Sequence, residues 1–346
     1  MLSGEFHTSY RADMAIFETS RARWVLAVFL VALFVLPLFG SSYWLDVLNR
    51  TAIAVIAATG LNILTGFTGQ ISLGNAAFLA IGAYSTAYLA SHGLPFALVI
   101  PLAGILAALA GMVFGVPSLR LKGLYLAMAT LAAHFIVEFT VTHWDSVTGG
   151  VNGTSVPAPS VFGRALANDR ALAFLILPAC IGHLWFAKNL FRTRVGKAFV
   201  AIRDQDISAE VMGVEVFRFK LLAFGVSSFY VGVAGSLLAY QARIISPENF
   251  PLSLAIDQLG MIIIGGLGSI LGSILGAVFL TLLPEVLRLL TSALSGRFPA
   301  LIQLFAPLKL GVFGLAIVLF LVFEPDGLAA RWRKIKTYWR LYPFSY

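Results

Sequence analysis

The chain has 346 residues, of which 59% are hydrophobic and 12% charged, with a mean hydropathy of +0.89. A water-soluble domain carries about twice that charged fraction, so composition alone points to lipid. The net charge of +8 does not indicate a nucleic-acid partner, because the basic residues cluster between apolar runs as short loops beside anionic lipid do, and the single cysteine, Cys180, excludes an internal disulfide framework.

A helix needs about 20 apolar residues to cross a hydrocarbon core about 30 Å thick. The first run of that kind, 24–45, follows the mixed-charge segment 1–23, which reads as a cytoplasmic arm. No small-x-small cleavage pattern follows it, so it is expected to be a membrane helix and not a cleaved signal peptide. Further candidate spans are 50–66, 74–91, 95–117, 123–143, 171–190, 219–240 and 308–325. The stretch 256–287 is ambiguous. Its Gly265-Gly266-Leu267-Gly268-Ser269-Ile270-Leu271-Gly272 sequence weakens a continuous helix and predicts two short membrane helices, 256–266 and 270–286. The expected fold is therefore an all-α polytopic membrane protein with about ten transmembrane helices, including this short glycine-broken pair. A re-entrant pair lowers the count to eight or nine. The run 287–307, with Arg288, Arg297 and Pro299, reads as an external loop with a surface-lying amphipathic segment.

Basic residues set the expected orientation. They gather at Arg120 and Lys122, at Lys188, Arg192, Arg194, Lys197, Arg203, Arg218 and Lys220, and in the tail at Arg331, Arg333, Lys334, Lys336 and Arg340. All three groups are expected on the cytoplasmic side. This predicts a multi-pass permease domain over 24–325, a basic cytoplasmic tail over 326–346, and both termini inside.

Two segments carry functional interest. The first, Asn62 to Asn75, sets Asn62, Thr65, Gln70, Ser72 and Asn75 among glycines between two apolar runs. It is either a cytoplasmic hairpin or the polar lining of a solute pathway, where broken helices supply hydrogen bonds at depth. The second, Gly196 to Gly213, is amphipathic and of mixed charge, with Arg203, Asp204, Asp206 and Glu210 interrupting its apolar positions. It reads as a membrane-surface helix or as a docking element for a soluble partner, and the acidic residues favour docking. Within the spans, His134 and Glu138 lie four apart on one helix face and are candidates to pair or to touch solute, while His183 and Asp257 carry weaker arguments. The glycine-rich Thr148 to Thr154 reads as a connector or a contact for a small ligand. No metal-ligand spacing, phosphate loop, dinucleotide fingerprint or nucleophile elbow is present, so no catalytic residue, metal or cofactor is assigned.

The order and spacing of four motifs resemble the second permease subunit of branched-chain amino-acid ABC importers, the LivM type. They are Gly66-Phe67-Thr68-Gly69-Gln70-Ile71-Ser72-Leu73-Gly74-Asn75 with Gly82-Ala83-Tyr84, then Thr148-Gly149-Gly150-Val151-Asn152-Gly153, then Ala201-Ile202-Arg203-Asp204 through Ala209-Glu210-Val211-Met212-Gly213, and Gly260 through Gly276. The resemblance implies a subunit of a bacterial inner-membrane importer that works by alternating access. Its partners would be a homologous LivH-type permease, two cytoplasmic ATPase subunits and an external solute-binding protein. It places the coupling segment within 191–218, with Arg203, Asp204, Ala209, Glu210, Met212 and Gly213 as candidate contacts. Related permeases for urea or short amides share these motifs, and a stand-alone secondary transporter is the rival of a different class.

Overall fold

The computed structural model describes residues 20–121, 123–161, 164–166, 168–294 and 305–341. Helix α1 (Ser20–Phe39) stops behind Pro37, and Gly40 and Ser41 separate it from α2 (Ser42–Thr68). The expected spans 24–45 and 50–66 leave the first break at 46–49, but this stretch, with Asp46 in it and Arg50 just after it, lies inside α2. Those two charges do not end the helix, because they pair with each other across one turn at 2.9 Å and Asp46 also accepts from Gln241 Nε2 at 2.7 Å.

The chain continues through α3 (Asn75–Ser91), α4 (Phe96–Ser118) and α5 (Leu124–His143). After α5 comes the short α6 (Asp145–Thr148), which Thr148 fastens by donating its hydroxyl to the carbonyls of Val141 and Trp144. The glycine-rich connector beyond it is packed. Strand β1 (Thr154–Ser155) pairs antiparallel with β4 (Ile244–Ile245), and a Cβ on Gly153 would lie 2.3 Å from the Ile245 carbonyl oxygen. A small hairpin, β2 (Ser160–Val161) with β3 (Arg164–Ala165), leads to α7 (Asp169–Leu190). Then follow α8 (Arg194–Asp204), α9 (Asp206–Val211), α10 (Val216–Ala242), α11 (Leu252–Gly265), α12 (Ile270–Leu294), α13 (Phe305–Phe323) and α14 (Gly327–Leu341).

Helices α2 and α10 form the inside of the bundle, while α4, α5, α7 and α12 turn most of their surface outward. Small residues bring α10 to its neighbours. A Cβ on Gly232 would lie 2.4 Å from the Ala107 Cβ on α4, and one on Gly235 would lie 2.0 Å from the Leu79 carbonyl oxygen on α3. Between apolar helices in lipid, such backbone approach supplies the dispersion contacts that a hydrophobic driving force cannot.

Among the described residues, six helices are long and apolar enough to cross a membrane: α2, α4, α5, α7, α10 and α12. A bent pair, 310–323 with 327–339, makes a seventh if its two arms count as one span. The expectation of about ten is therefore overturned. Hydropathy registers apolar character but not length: the apolar part of α1 (Arg23–Phe39) is one of the shorter helices, α3 has 17 residues and α11 has 14. At 1.5 Å per residue α11 reaches only about 21 Å. The expected pair of short spanning helices at 256–286 is not present either. The segment after the glycines, α12, runs 25 residues and is a full-length span, and α11 folds back on it so closely that a Cβ on Gly265 would lie 2.0 Å from the Gly272 carbonyl oxygen. The sharp bend of 48° occurs instead at Glu324-Pro325-Asp326-Gly327, where Pro325 cannot continue the α13 ladder and Gly327 takes φ 75°.

The expected external amphipathic segment at 287–307 begins as a continuation of α12 to Leu294. Its residues 295–304, Arg297 and Pro299 included, lie outside the described residues, as does most of the 1–23 arm.

Candidate functional site

The two glycine loops and the amphipathic segment meet at one end of the bundle. Helix α2 ends at Gly69, whose φ of 71° lets the chain leave the helix axis while its amide returns to the Leu64 carbonyl. Thr65 donates to the Gln70 carbonyl at 3.1 Å, and Thr68 donates back to the Ile63 and Leu64 carbonyls. Farther along the loop, the Leu73 amide donates to Thr130 Oγ1 of α5 at 2.9 Å and the Gly74 amide to Ser72 Oγ at 3.3 Å. Asn75, the first residue of α3, donates its amide to Gln258 of α11.

Asn62 sews this loop to the second one. Its Oδ1 accepts from the Gly268 amide at 2.9 Å, and its Nδ2 donates to the Ser269 carbonyl at 2.9 Å and to Ser273 Oγ at 2.8 Å. The neighbouring position has no room for a side chain: a Cβ on Gly66 would lie 1.8 Å from Asn62 Oδ1 and 2.3 Å from the Gly268 nitrogen.

The amphipathic segment folds as two helices at an angle. Thr193 caps α8 by accepting from the Gly196 amide, and Phe199 and Ile202 are buried beneath it. The Phe67 ring of α2 stacks on Phe191 just ahead of α8, with centroids 3.6 Å apart. Arg203, in the last turn of α8, donates from Nη1 to the Gly66 carbonyl at 3.3 Å, while its Nε and Nη2 bond Asp204 at 3.0 and 2.9 Å. A Cβ on Gly268 would lie 2.7 Å from the same Nη1. On α9, Ala209 is buried, whereas Ile207, Val211 and Met212 project into the open at 64%, 82% and 84% exposure. Glu210 is exposed, and Gly213 turns the chain at φ 88°.

A cavity of about 310 Å³ opens between these parts, walled by Thr68 to Gln70, the α4–α5 turn, the α8–α9 turn and Lys220. Its floor carries Gln70, 3% exposed, whose amide nitrogen and oxygen both lack a hydrogen-bond partner within the chain. The other unpartnered group of interest is His134, 1% exposed, with Nε2 3.7 Å from the Glu138 carboxylate and neither ring nitrogen hydrogen-bonded. The cleft beside it, lined by Ala77, Ala80, Val137, Val141 and Phe250, has a volume of only about 10 Å³, enough for one water at most. Glu138 is half exposed. Thus Asn62, Thr65, Ser72 and Asn75 are committed to internal bonds, and Gln70 and His134 are not. Thr130, Gln258 and Ser273 complete the network and were missed from sequence. Gln258 carried a usable signal, a polar side chain in an otherwise apolar helix.

The sequence profile of the family described as "Branched-chain amino acid transport system / permease component" matches residues 43–321. The chain belongs to this family. The permease is 35% identical to the high-affinity branched-chain amino acid transport system permease protein LivM of Escherichia coli K12, over 75% of its own length and 68% of that relative's. It is 25% identical to the ribose import permease protein RbsC of Haemophilus influenzae, over 71% and 77% of the two chains. It is 27% identical to the autoinducer 2 import system permease protein LsrC of Escherichia coli DH10B, over 85% and 84%. No solved structure matches the permease. It is the non-catalytic, multi-pass membrane subunit of an ABC-type importer. Among the described residues no three His, Cys, Asp or Glu side chains gather as a metal site requires.

Proposed function

We propose that this permease moves branched-chain aliphatic amino acids inward by alternating access, paired with a LivH-type permease, two cytoplasmic ATPases and an external solute-binding protein in a bacterial inner membrane. The observation that carries the solute is the 35% identity to a branched-chain amino acid permease, against 25% and 27% to the ribose and autoinducer relatives. Of the pathway candidates, Gln70 and His134 keep polar atoms unused within the chain and Glu138 is half exposed, so the pathway draws on these three, while Asn62, Thr65, Ser72 and Asn75 hold the loops in shape beside it.

The 191–218 segment is the coupling element. In support, α9 holds Ile207, Val211 and Met212 out as an apolar face with Glu210 beside it, and the other side of α8 rests on the glycine loops. ATPase closure would push on that face, and the two permease states differ in how the loops beneath it sit. The basic tail and the coupling element are assigned to the same, cytoplasmic side, together with the N-terminus. Gly327, which opens the tail helix, packs on Gly266, two residues from the Gly268 that meets Arg203. Lipid headgroups take the tail's positive charge.

The test is uptake into proteoliposomes carrying the complete assembly, with internal ATP, external solute-binding protein, and labelled leucine, isoleucine, valine, urea and ribose. ATP-dependent accumulation of the three aliphatic amino acids is expected. Preferential accumulation of urea or ribose overturns the solute, and accumulation without the ATPases overturns the ABC coupling.

A further inference from the structure

Helix α14 is docked by its first turn and then runs free of the bundle. Ala329 and Ala330 are buried and Gly327 is pressed on Gly266, but every residue from Arg331 to Trp339 is exposed. The helix contains no acidic residue. Arg331 pairs with Glu324 at 2.5 Å, whereas Arg333, Lys334 and Lys336 form no ion pair among the described residues. Trp332, Ile335 and Trp339 recur at i, i+3 and i+7 and make one apolar stripe, with Trp339 73% exposed. A basic helix with a tryptophan-bearing face has the composition of a helix that lies among lipid headgroups.

Its basic face meets charges from another part of the chain. Ala329, Arg333 and Lys336 follow at i, i+4 and i+7, so the face that docks continues as the basic one. Lys336 and Arg192 both bring like charge to bear on the Lys188 ammonium at the end of α7. Arg192 donates from Nη1 to Asn189 Oδ1 at 3.4 Å, and Lys188 and Arg192 are half-buried. Such a gathering of like charges is costly until an anion enters it. Trp185 and Phe186, in the turn before Lys188, are exposed on the spanning helix α7. The cations therefore stand where the apolar surface of a membrane span ends. That order matches a phospholipid along its length, with acyl chains on the aromatic surface and phosphate among the cations. A free anion makes no use of Trp185, Phe186 or the α14 stripe.

We propose that Lys188, Arg192 and Lys336 form a binding site for the phosphate of one anionic phospholipid, whose acyl chains lie along α7 beside Trp185 and Phe186. The site rests on the cytoplasmic placement of the tail given above and adds to it a discrete lipid held between two elements. Because Gly327 packs on Gly266, a lipid bound here also holds the tail helix against the glycine turn whose Gly268 meets Arg203.

The experiment is binding of radiolabelled phosphatidylglycerol to the complete assembly in detergent micelles. The competitors are phosphatidylcholine, inorganic phosphate and glycerophosphoglycerol, the same headgroup without acyl chains. Saturable binding is expected, with each competitor at least about tenfold weaker than unlabelled phosphatidylglycerol. Lys336→Gln and Arg192→Gln should each weaken binding about fivefold. Arg120→Gln, which removes the same charge from the exposed α4–α5 turn, should not. Absence of saturable binding overturns the site, and so does binding unchanged in both site variants. Equal competition by phosphatidylcholine, or an equal loss in Arg120→Gln, reduces the effect to net charge and overturns it too. Equal competition by inorganic phosphate or glycerophosphoglycerol overturns the lipid as ligand. If Arg192→Gln does not assemble, Lys336→Gln, at an exposed side chain, decides. Leucine uptake without a preference for phosphatidylglycerol overturns this site alone, whereas phosphatidylglycerol binding without uptake of any aliphatic amino acid overturns the transport reading alone.

Discussion

Arg203 reaches from the last turn of α8 to the carbonyl of Gly66, 137 positions earlier in the chain, and closes a 3.3 Å hydrogen bond at the carboxyl end of α2. That end collects unpaired carbonyls and the negative pole of the helix dipole, so a guanidinium is the matched partner. The contact is half open to water, with the Arg203 side chain 37% exposed, and its value to stability is small, roughly 1 kcal/mol or less. Its value to motion is larger, because it ties a partner-facing helix to the frame of the bundle. Arg203→Ala is therefore expected to reduce uptake about tenfold while ATP hydrolysis by the assembly persists. Arg203→Lys, which cannot hold Asp204 with two nitrogens and still reach Gly66, should recover only part of the loss. Uptake and hydrolysis falling in proportion would argue against a link.

Gly268 tests the same junction from the other side. Its φ of 71° makes a side chain cost about 1–2 kcal/mol, and a Cβ there would displace Arg203 Nη1. Gly268→Ala should lower uptake as Arg203→Ala does. The double variant should be no worse than the more severe single one, since both remove the same contact. Additive losses would place the two residues in separate roles.

Asn62 is expected to be a stability residue. Asn62→Leu leaves the Gly268 amide without its acceptor and takes a donor from Ser273 Oγ and the Ser269 carbonyl, and should cost about 2–4 kcal/mol. Cys180, the one cysteine in the chain, is buried in α7, so labelling by a thiol-reactive fluorogenic dye during heating reports the unfolding midpoint directly. A midpoint within a degree or so of the unmodified protein would contradict the assignment.

His134 is expected to behave in the opposite way. A fully buried imidazole without hydrogen bonds burdens the fold, and His134→Leu should raise the dye-measured midpoint while lowering uptake. A higher midpoint with unchanged uptake would remove His134 from the pathway.

The α9 face gives a partner-specific prediction. Val211 and Met212 are exposed, so replacing Glu210 and Met212 with alanine should leave the midpoint unaltered and weaken ATPase association about tenfold. Association and uptake both unchanged would put the docking surface elsewhere.

Much of the site was legible because its chemistry is local. Polar residues between apolar runs marked 62–75, and mixed charge at helical spacing marked 196–213, since a membrane helix interior tolerates neither without a reason. What local reading did not yield was the division of labour within 62–75. Asn62 and Asn75 look as available as Gln70 in the sequence. They differ only because Ser269, Ser273 and Gln258, about 200 positions away, happen to face them. The same limit produced the overcount of spans: the apolar part of α1 has 17 residues, α3 17 and α11 14, fewer than the six long apolar helices, and a hydropathy reading does not see where a folded helix stops.

The amino-acid order by itself determined that this is a membrane protein and, through its motifs, which family it resembles. The first follows from transfer energies that each segment carries wherever it sits, and the second from short motifs read in order. Tertiary structure alone decided that the two glycine loops and the amphipathic segment share one end of the bundle, with Arg203 against Gly66 and the Gln70 side chain buried without a partner in the chain. Hydrogen-bond satisfaction is a property of pairs, and the pairs here are made across the fold.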